Sequence, residues 1–204
     1  MIDLRTAGAK GDGKTDDTLA IQRAIDLAAE AGDTVHVPAG VFLSSKLTLR
    51  PHTGLVGQAN YDWKKPGGST ITLIDPNAPC LLDLTLALGV TLHGLCLQGA
   101  DLGQGVHGVM VNKPDYGTTE DNPRIERCQI SHFTGDGVHL GRIWCYSVRS
   151  SMISMNRGNG ITSRGWDGFV IDNWLSLNGG AGFGTLEENN AVTLTANWNF
   201  CMTC

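Results

Sequence analysis

The spacing of apolar residues near the start of the chain is that of a helix. From about residue 16 to residue 31 apolar side chains recur three and four residues apart, as on one face of an α-helix. They are Leu19, Ile21, Ala24, Ile25, Leu27 and Ala28. Asp16 and Asp17 stand where a helix is capped, and Gly32 ends the pattern. The segment predicts an amphipathic helix.

After Gly32 the apolar spacing shortens to about two residues. The apolar positions are Val35, Val37, Val41, Leu43, Leu47 and Leu49. A period of two places alternate side chains on one face of a strand, and Pro38-Ala39-Gly40 interrupts the run as a turn would. Short β-strands are therefore predicted from this point.

The second half of the chain repeats itself. Segments 130–138, 153–161 and 175–183 align with one another, each with a glycine-containing turn between two apolar positions. The aligned apolar residues are Ile130, Ile153 and Leu175, then Val138, Ile161 and Phe183, and a third series contains Val148, Val170 and Val192. Since no segment here carries a helical stripe, the repeat fits coils of a β-solenoid stacked about 4.8 Å apart.

One turn of the predicted coils repeats an asparagine. Asn156 and Asn178 occupy the same position in successive repeats, and asparagine adopts the left-handed αL conformation at low cost. We interpret both as structural residues that turn the chain in αL.

The N-terminal residues resemble the opening motif of the pectate-lyase-like β-helix superfamily. The resemblance lies in Ala7-Gly8-Ala9-Lys10-Gly11-Asp12-Gly13-Lys14-Thr15-Asp16-Asp17-Thr18 and in residues 20–26, 35–42, 47–49 and 54–57. It implies an all-β solenoid, a single-stranded right-handed parallel β-helix with an N-terminal capping α-helix. Residues 1–34 would form the cap and 35–204 the coils of one domain. Asp12, Asp16 and Asp17 would then be structural.

This resemblance defines the fold more closely than it defines the activity. Members include pectate lyases, polygalacturonase-like hydrolases, epimerases, fructotransferases and tailspike depolymerases. The paired aspartates with Gly-His-Gly and the Asp-Pro-His element of some members are not intact here. We expect no cofactor, except Ca²⁺ if the reaction is a pectate-lyase-like elimination. Location is expected to be extracellular or virion-associated, and the N-terminal residues of this chain predict no signal peptide.

Charge and hydropathy argue against two classes of partner. The formal net charge of -5 gives no basic excess for a nucleic acid backbone. The longest apolar stretch, residues 79–95, is interrupted by Asp83 and His93, so no membrane span is expected.

An aromatic and arginine pattern recurs at the coil period. Arg142 and Trp144 stand one repeat before Arg164 and Trp166, and Glu188 stands at the next step of the tryptophan series. Aromatic faces stack on sugar rings, and arginine pairs with uronate carboxylates, which predicts a subsite for an acidic glycan. The alternative is that the tryptophans cover the edge of the core.

Two segments without a strand pattern are candidates for groove walls. Residues 112–124, which contain Tyr116, make one coil longer than the others, and residues 61–66 set Tyr61 and Trp63 beside two lysines. Either segment could instead be an inert surface loop.

The candidate acid–base residues are Asp136, His139, Asp167, Asp172, Glu187 and Glu188. Glycoside hydrolysis needs two carboxyls about 5 to 9 Å apart, and Asp167 and Glu188 are one coil apart. A lyase needs a base such as His139 and a cation such as Arg164. Asp136 is otherwise a turn former and His139 a surface histidine.

Two functions remain open from the sequence. One is a carbohydrate-active enzyme that cleaves a polysaccharide, acidic in our interpretation, by lyase or hydrolase chemistry. The other is a non-catalytic β-helix module, such as a phage tail fibre shaft or glycan-binding solenoid, working as a trimer. Because Ala196-Asn197-Trp198-Asn199-Phe200 ends inside a coil, we expect a truncated product or a partner that covers this end.

Overall fold

The protein is a parallel β-helix of three sheets. The computed structural model describes residues 1–186 and, for the backbone, 192–195. All pairing between its named strands is parallel, and each strand inside a sheet pairs with strands of the coils before and after it. The predicted right-handed solenoid is therefore confirmed.

Among the described residues, sheet A has eight strands. In spatial order they are β1 (Ile2–Asp3), β3 (Val35–His36), β6 (Gly54–Val56), β9 (Thr91–His93), β12 (Arg124–Glu126), β15 (Ser147–Arg149), β18 (Gly168–Ile171) and β21 (Val192–Thr195). Its inward column contains Val35, Leu55, Leu92, Ile125, Val148 and Val170. The next step pairs Val170 with Leu194, so the predicted continuation at Val192 is wrong by two residues, because that coil is longer.

Sheet B has seven strands in the part of the chain that the structure describes. They are β2 (Asp12–Asp16), β4 (Gly40–Ser44), β7 (Ser69–Leu73), β10 (Cys96–Gln98), β13 (Gln129–Ser131), β16 (Met152–Ser154) and β19 (Trp174–Ser176). Its inward column aligns Ile71, Leu97, Ile130, Ile153 and Leu175, all at most 2% exposed. The predicted alignment of Ile130, Ile153 and Leu175 is confirmed.

Sheet C is the third side of the solenoid and has six strands within the described residues. They are β5 (Leu47–Thr48), β8 (Cys80–Asp83), β11 (His107–Asn112), β14 (Val138–Trp144), β17 (Ile161–Trp166) and β20 (Phe183–Thr185). Val138, Ile161 and Phe183 pair in register, as predicted. Burial of these columns stabilises the fold by about 25 cal/mol for each Å² of apolar surface removed from water. A single coil cannot bury its apolar residues alone, so this stabilisation requires stacked coils.

Helix α1 (Thr18–Ala31) closes the N-terminal end of the solenoid. It buries Ile21, Ala24, Ile25 and Ala28 and ends at Gly32, which is in αL. Asp17 occupies the N-cap position, but its carboxylate accepts the backbone N–H groups of Lys10 and Gly11 rather than capping the helix. The acidic residues of the opening motif thus have a structural role in the cap, as predicted. In the described residues no helix is both long and apolar enough to cross a bilayer.

Single residues in αL turn the corners between sheets. Arg127, Ser150 and Asp172 turn sheet A into sheet B, whereas His132, Met155 and Leu177 end sheet B and Cys145 and Asp167 end sheet C. The αL prediction for Asn156 and Asn178 is wrong, because the residue before each takes that conformation. Asn156 is instead buried, with its amide donating to Asn178 Oδ1 at 3.0 Å. Both asparagines are structural.

Candidate functional site

Polar residues occupy one column of the turn between sheets B and C. The backbone N–H of Gly108 donates to Asp136 O, and that of Gly137 donates to Asn159 O, both at 3.0 Å. His107, Asp136 and Asn159 therefore occupy equivalent positions in three successive coils. His139 follows three residues after Asp136 on the outer side of β14, since Val138 and Leu140 point into the core.

Three of these side chains form a cluster, His107, Asp136 and His139. His139 Nδ1 is 2.8 Å from Asp136 Oδ2, and the His107 and His139 rings lie 4.4 Å apart. Asp136 Oδ1 accepts the backbone N–H of Asn159 at 2.8 Å. A side chain at Gly158 would meet this oxygen, since a Cβ there would lie 2.4 Å away. The carboxylate is thus fixed from two coils.

The hydrogen bonds assign different tautomers to the two histidines. His107 Nδ1 accepts the backbone N–H of Asp136 at 2.9 Å, so a neutral His107 carries its proton on Nε2. His139 Nδ1 donates to the Asp136 carboxylate, which leaves Nε2 of His139 with a lone pair. The pair can therefore take up a proton at His139 Nε2 while the carboxylate stabilises the imidazolium.

Burial and hydrogen bonding set the charge of the cluster. Burial acts to raise the pKa of Asp136, but hydrogen bonds from His139, the Asn159 backbone and Thr162 outweigh it and hold the pKa below its usual value. Burial lowers the pKa of His107, and the neighbouring His139 lowers it further against the opposing effect of Asp136. The cluster therefore contains a carboxylate and a neutral His107 near pH 7.

The cluster also has the ligand atoms for a metal ion, all within 4.8 Å of one another. Two imidazole nitrogens and one carboxylate suit a transition metal, whereas Ca²⁺ takes six to eight oxygens. These residues do not fit the Ca²⁺ expected for a pectate-lyase-like elimination.

The predicted aromatic column lies farther along the same outer face. Trp144 and Trp166 pair in register across β14 and β17. Tyr116 packs edge-on against Trp166 with ring centroids 6.1 Å apart. The loop that contains Tyr116 is held in place by an ion pair between Lys113 and buried Asp121. The Asp121 carboxylate also accepts the Trp144 backbone N–H at 2.9 Å. The loop that lengthens this coil thus contacts the aromatic column.

The two predicted arginines are not equivalent. β14 bulges at Arg142, which has a φ of 52° and donates from its guanidinium to Lys113 O at 3.0 Å. Arg164 instead pairs with Gly141 and is half-buried. The prediction that Arg142 and Arg164 share a column is wrong, because the bulge at Arg142 shifts the strand register by one residue.

Of the predicted pair of carboxylates, Asp167 does not enter this cluster. Asp167 is an exposed corner residue with a φ of 53°. Glu188, like Glu187, lies outside the described residues. Of the four predicted catalytic residues, the structure brings Asp136 and His139 together.

The sequence pattern did not predict His107 as a member of the cluster. The separation between His107 and Asp136 exceeds the period of the later coils, because residues 112–124 lengthen this coil. Aligning Gly108-Val109 with Gly137-Val138 would have placed His107 beside Asp136.

Comparisons with known proteins agree with this architecture. Residues 1–76 match a family model described as rhamnogalacturonase A/epimerase, pectate lyase-like. The chain is 30% identical over 213 residues to alginate lyase 7 of Azotobacter vinelandii, and 30% identical over 133 residues to the pre-neck appendage protein of Bacillus phage phi29. The mannuronan C-5 epimerase AlgE4 A-module of A. vinelandii superposes with a TM-score of 0.76 at 26% identity.

These matches cover unequal shares of the proteins. The alginate lyase match includes 93% of this chain but 24% of the relative, and the phage match includes 62% and 14%. The AlgE4 superposition covers 91% of this chain and 53% of the module. The N-terminal residues therefore match a pectate-lyase-like family model, and the three-sheet solenoid is the fold of pectate-lyase-like right-handed parallel β-helix proteins.

Proposed function

We propose that this protein is a carbohydrate-active enzyme that cleaves an acidic polysaccharide, with the His107–Asp136–His139 cluster as its acid–base group. One observation carries the proposal. His139 is hydrogen-bonded to buried Asp136 through Nδ1 and keeps Nε2 for the substrate, on the outer face that also holds the aromatic column. Similarity to an alginate lyase and a mannuronan epimerase supports a uronate polymer as substrate.

Elimination is the chemistry that this cluster supports best. His139 Nε2 takes the proton on the carbon next to the uronate carboxylate, and the electron pair left behind forms a double bond as the glycosidic C–O bond breaks. The leaving oxygen keeps the bonding electrons and takes a proton from water, and the proton on His139 then returns to solvent. Hydrolysis would need two carboxyls about 5 to 9 Å apart. The cluster itself contains a single carboxyl, which already binds His139.

Arg164 would stabilise the negative charge that develops on the substrate. By register it lies opposite Gly141, two residues along the outer face from Thr162, the partner of His139. Diagonal neighbours of this kind are about 7 to 8 Å apart, within reach of an arginine side chain. Trp166 is 45% exposed and would hold the next sugar ring through its face.

A non-catalytic module is the second candidate function. Similarity to a phage appendage protein over 133 residues favours it. In that case the solenoid would be a shaft or a glycan-binding surface, and a trimer in solution would be expected.

The deciding experiment is a substrate panel of polygalacturonate, alginate, inulin and bacterial capsule. Reducing ends report any cleavage, whereas ultraviolet absorbance reports the unsaturated product of elimination. We expect both signals to rise together on one acidic polymer and to be lost in Asp136→Asn. Turnover on none of them, with a stable trimer in solution, would favour the second candidate.

A further inference from the structure

A long loop crosses another face of the solenoid. Residues 58–68, here called the strap, leave sheet A after β6 and return at the start of β7. An antiparallel bridge between Ala59 and Gly68 closes the base of the strap. The strap is therefore a loop inserted between two consecutive strands, β6 of sheet A and β7 of sheet B, rather than part of a coil.

Three successive coils hold the strap. Gln129 donates its side-chain amide to Asp62 O, and Tyr61 donates its hydroxyl to Ser150 O, both at 2.7 Å. Trp63 packs against Trp174 of the next coil, with ring centroids 6.4 Å apart. These contacts place the strap along the solenoid axis, over the corner between sheets A and B.

A cleft of about 440 Å³ lies between the strap and that corner. Polar and charged residues contribute much of its lining, among them Gln58, Asn60, Tyr61, His93, Arg127 and Asp172. Its size is within the range of small-molecule sites. It lies at a different corner from the His107–Asp136–His139 cluster, which occupies the turn between sheets B and C.

Arg127 determines which kind of ligand the cleft can bind. It is exposed and belongs to none of the ion pairs formed within residues 1–186. A guanidinium presents paired N–H groups that match a carboxylate, and the side-chain amides and Tyr61 suit sugar hydroxyls. Asp172 lies two coils from Arg127, about 10 Å away, where it repels a carboxylate and accepts hydroxyl groups. The opposite charges of Arg127 and Asp172 would orient an acidic sugar in the cleft.

We propose that this cleft is a second carbohydrate-binding site, in which Arg127 binds the carboxylate of an acidic sugar. Trp63 and Trp174, each 38% exposed, continue the surface beyond the cleft and offer apolar ring surface for the adjoining sugars. The site would hold an acidic polysaccharide along the axis whether or not the cluster cleaves it. This proposal goes beyond the proposed function and does not depend on it.

Calorimetric titration of Arg127→Gln tests the proposal. The probes are tetrasaccharides of galacturonate and of mannuronate, with a neutral cellotetraose as the control ligand. All titrations use a His139→Gln background, so that no ligand is cleaved. The matched control is Arg124→Gln, which removes the same charge from an exposed arginine of the same coil, outside the cleft.

We expect Arg127→Gln to weaken binding of one acidic tetrasaccharide by about tenfold or more, as loss of a charge-assisted hydrogen bond does. Arg124→Gln should change it by less than about twofold. If the cluster also binds the ligand, the titration has two phases and Arg127→Gln removes one. Equal binding by the two variants, no saturable binding of either acidic ligand, or equally tight cellotetraose would overturn the proposal. Failure of the proposed enzyme activity would leave the contrast between the variants unchanged.

Discussion

Two histidine–aspartate pairs in this molecule have the same hydrogen-bond length and different surroundings. His36 Nδ1 lies 2.8 Å from Asp3 Oδ2 near the capped end, and His139 Nδ1 lies 2.8 Å from Asp136 Oδ2 in the turn before sheet C. The first pair has side chains 43% and 35% exposed, the second 22% and 13%. The contact alone therefore does not distinguish a reaction centre from a surface ion pair.

The surroundings of the second pair make the difference. Asp136 is held by the backbone of Asn159, and the His107 ring lies against that of His139. The pKa of Asp3 is also lowered, chiefly by its hydrogen bond from His36, but solvent surrounds that pair. A partly buried carboxylate interacts more strongly with its imidazole than an exposed one, since water screens it less.

The largest contrast should be in activity. On the substrate identified by the panel, His139→Gln should lower kcat by about 10² to 10⁴-fold, as loss of a general base does. His36→Gln removes an equivalent contact and should leave kcat within about twofold. Initial rates of both purified variants, with circular dichroism to verify folding, provide the measurement. Equal losses in the two variants would contradict the distinction between the pairs.

A smaller contrast should be found in stability. Asp136→Asn should lower the free energy of unfolding by about 2 kcal/mol at pH 7, because buried donors lose a charged acceptor. Asp3→Asn should cost less than about 1 kcal/mol, as for exposed ion pairs. The folded-state pKa of Asp136 lies below its usual 3.8, so its contribution is present above pH 3.8 and is lost as the pH falls through the folded pKa. Urea unfolding at several pH values measures both effects.

The smallest effect should come from His107. Its folded-state pKa lies below the usual 6.5, so the unfolded chain binds more protons than the folded chain as the pH falls below 6.5. Stability should therefore decrease between pH 7 and pH 5. In His107→Gln that decrease should be shallower, because Gln can accept the Asp136 N–H without titrating. Thermal unfolding of parent and variant across this range would show it, and parallel curves would argue against a neutral His107.

The repeats predicted the fold because inward residues recur at the coil period. Ile130, Ile153 and Leu175 align for that reason. The same period cannot assign backbone angles: it predicts αL at Asn156, whereas Met155 adopts that conformation. It also cannot detect a bulge, and Arg142 was aligned with Arg164 although the strands pair Gly141 with Arg164.

The candidate site was only partly predictable, because its column changes residue type in every coil. His107, Asp136 and Asn159 share a position but no chemistry that a repeat search would match. Asn156 and Asn178 repeat the same residue, and they form a structural ladder. In this solenoid the polar residues that repeat maintain the coil. The polar residues that depart from the repeat form the cluster.

Chemical rescue of His139→Ala tests the central claim most directly. This variant removes the imidazole and leaves Asp136 beside a space open to solvent. We predict that its activity on the acidic polymer is lost and is partly restored by added imidazole, with a rate that rises and then saturates. The parent and His36→Ala should show no such dependence. A His139→Ala variant that cleaves the polymer at the parent rate without imidazole would contradict the account.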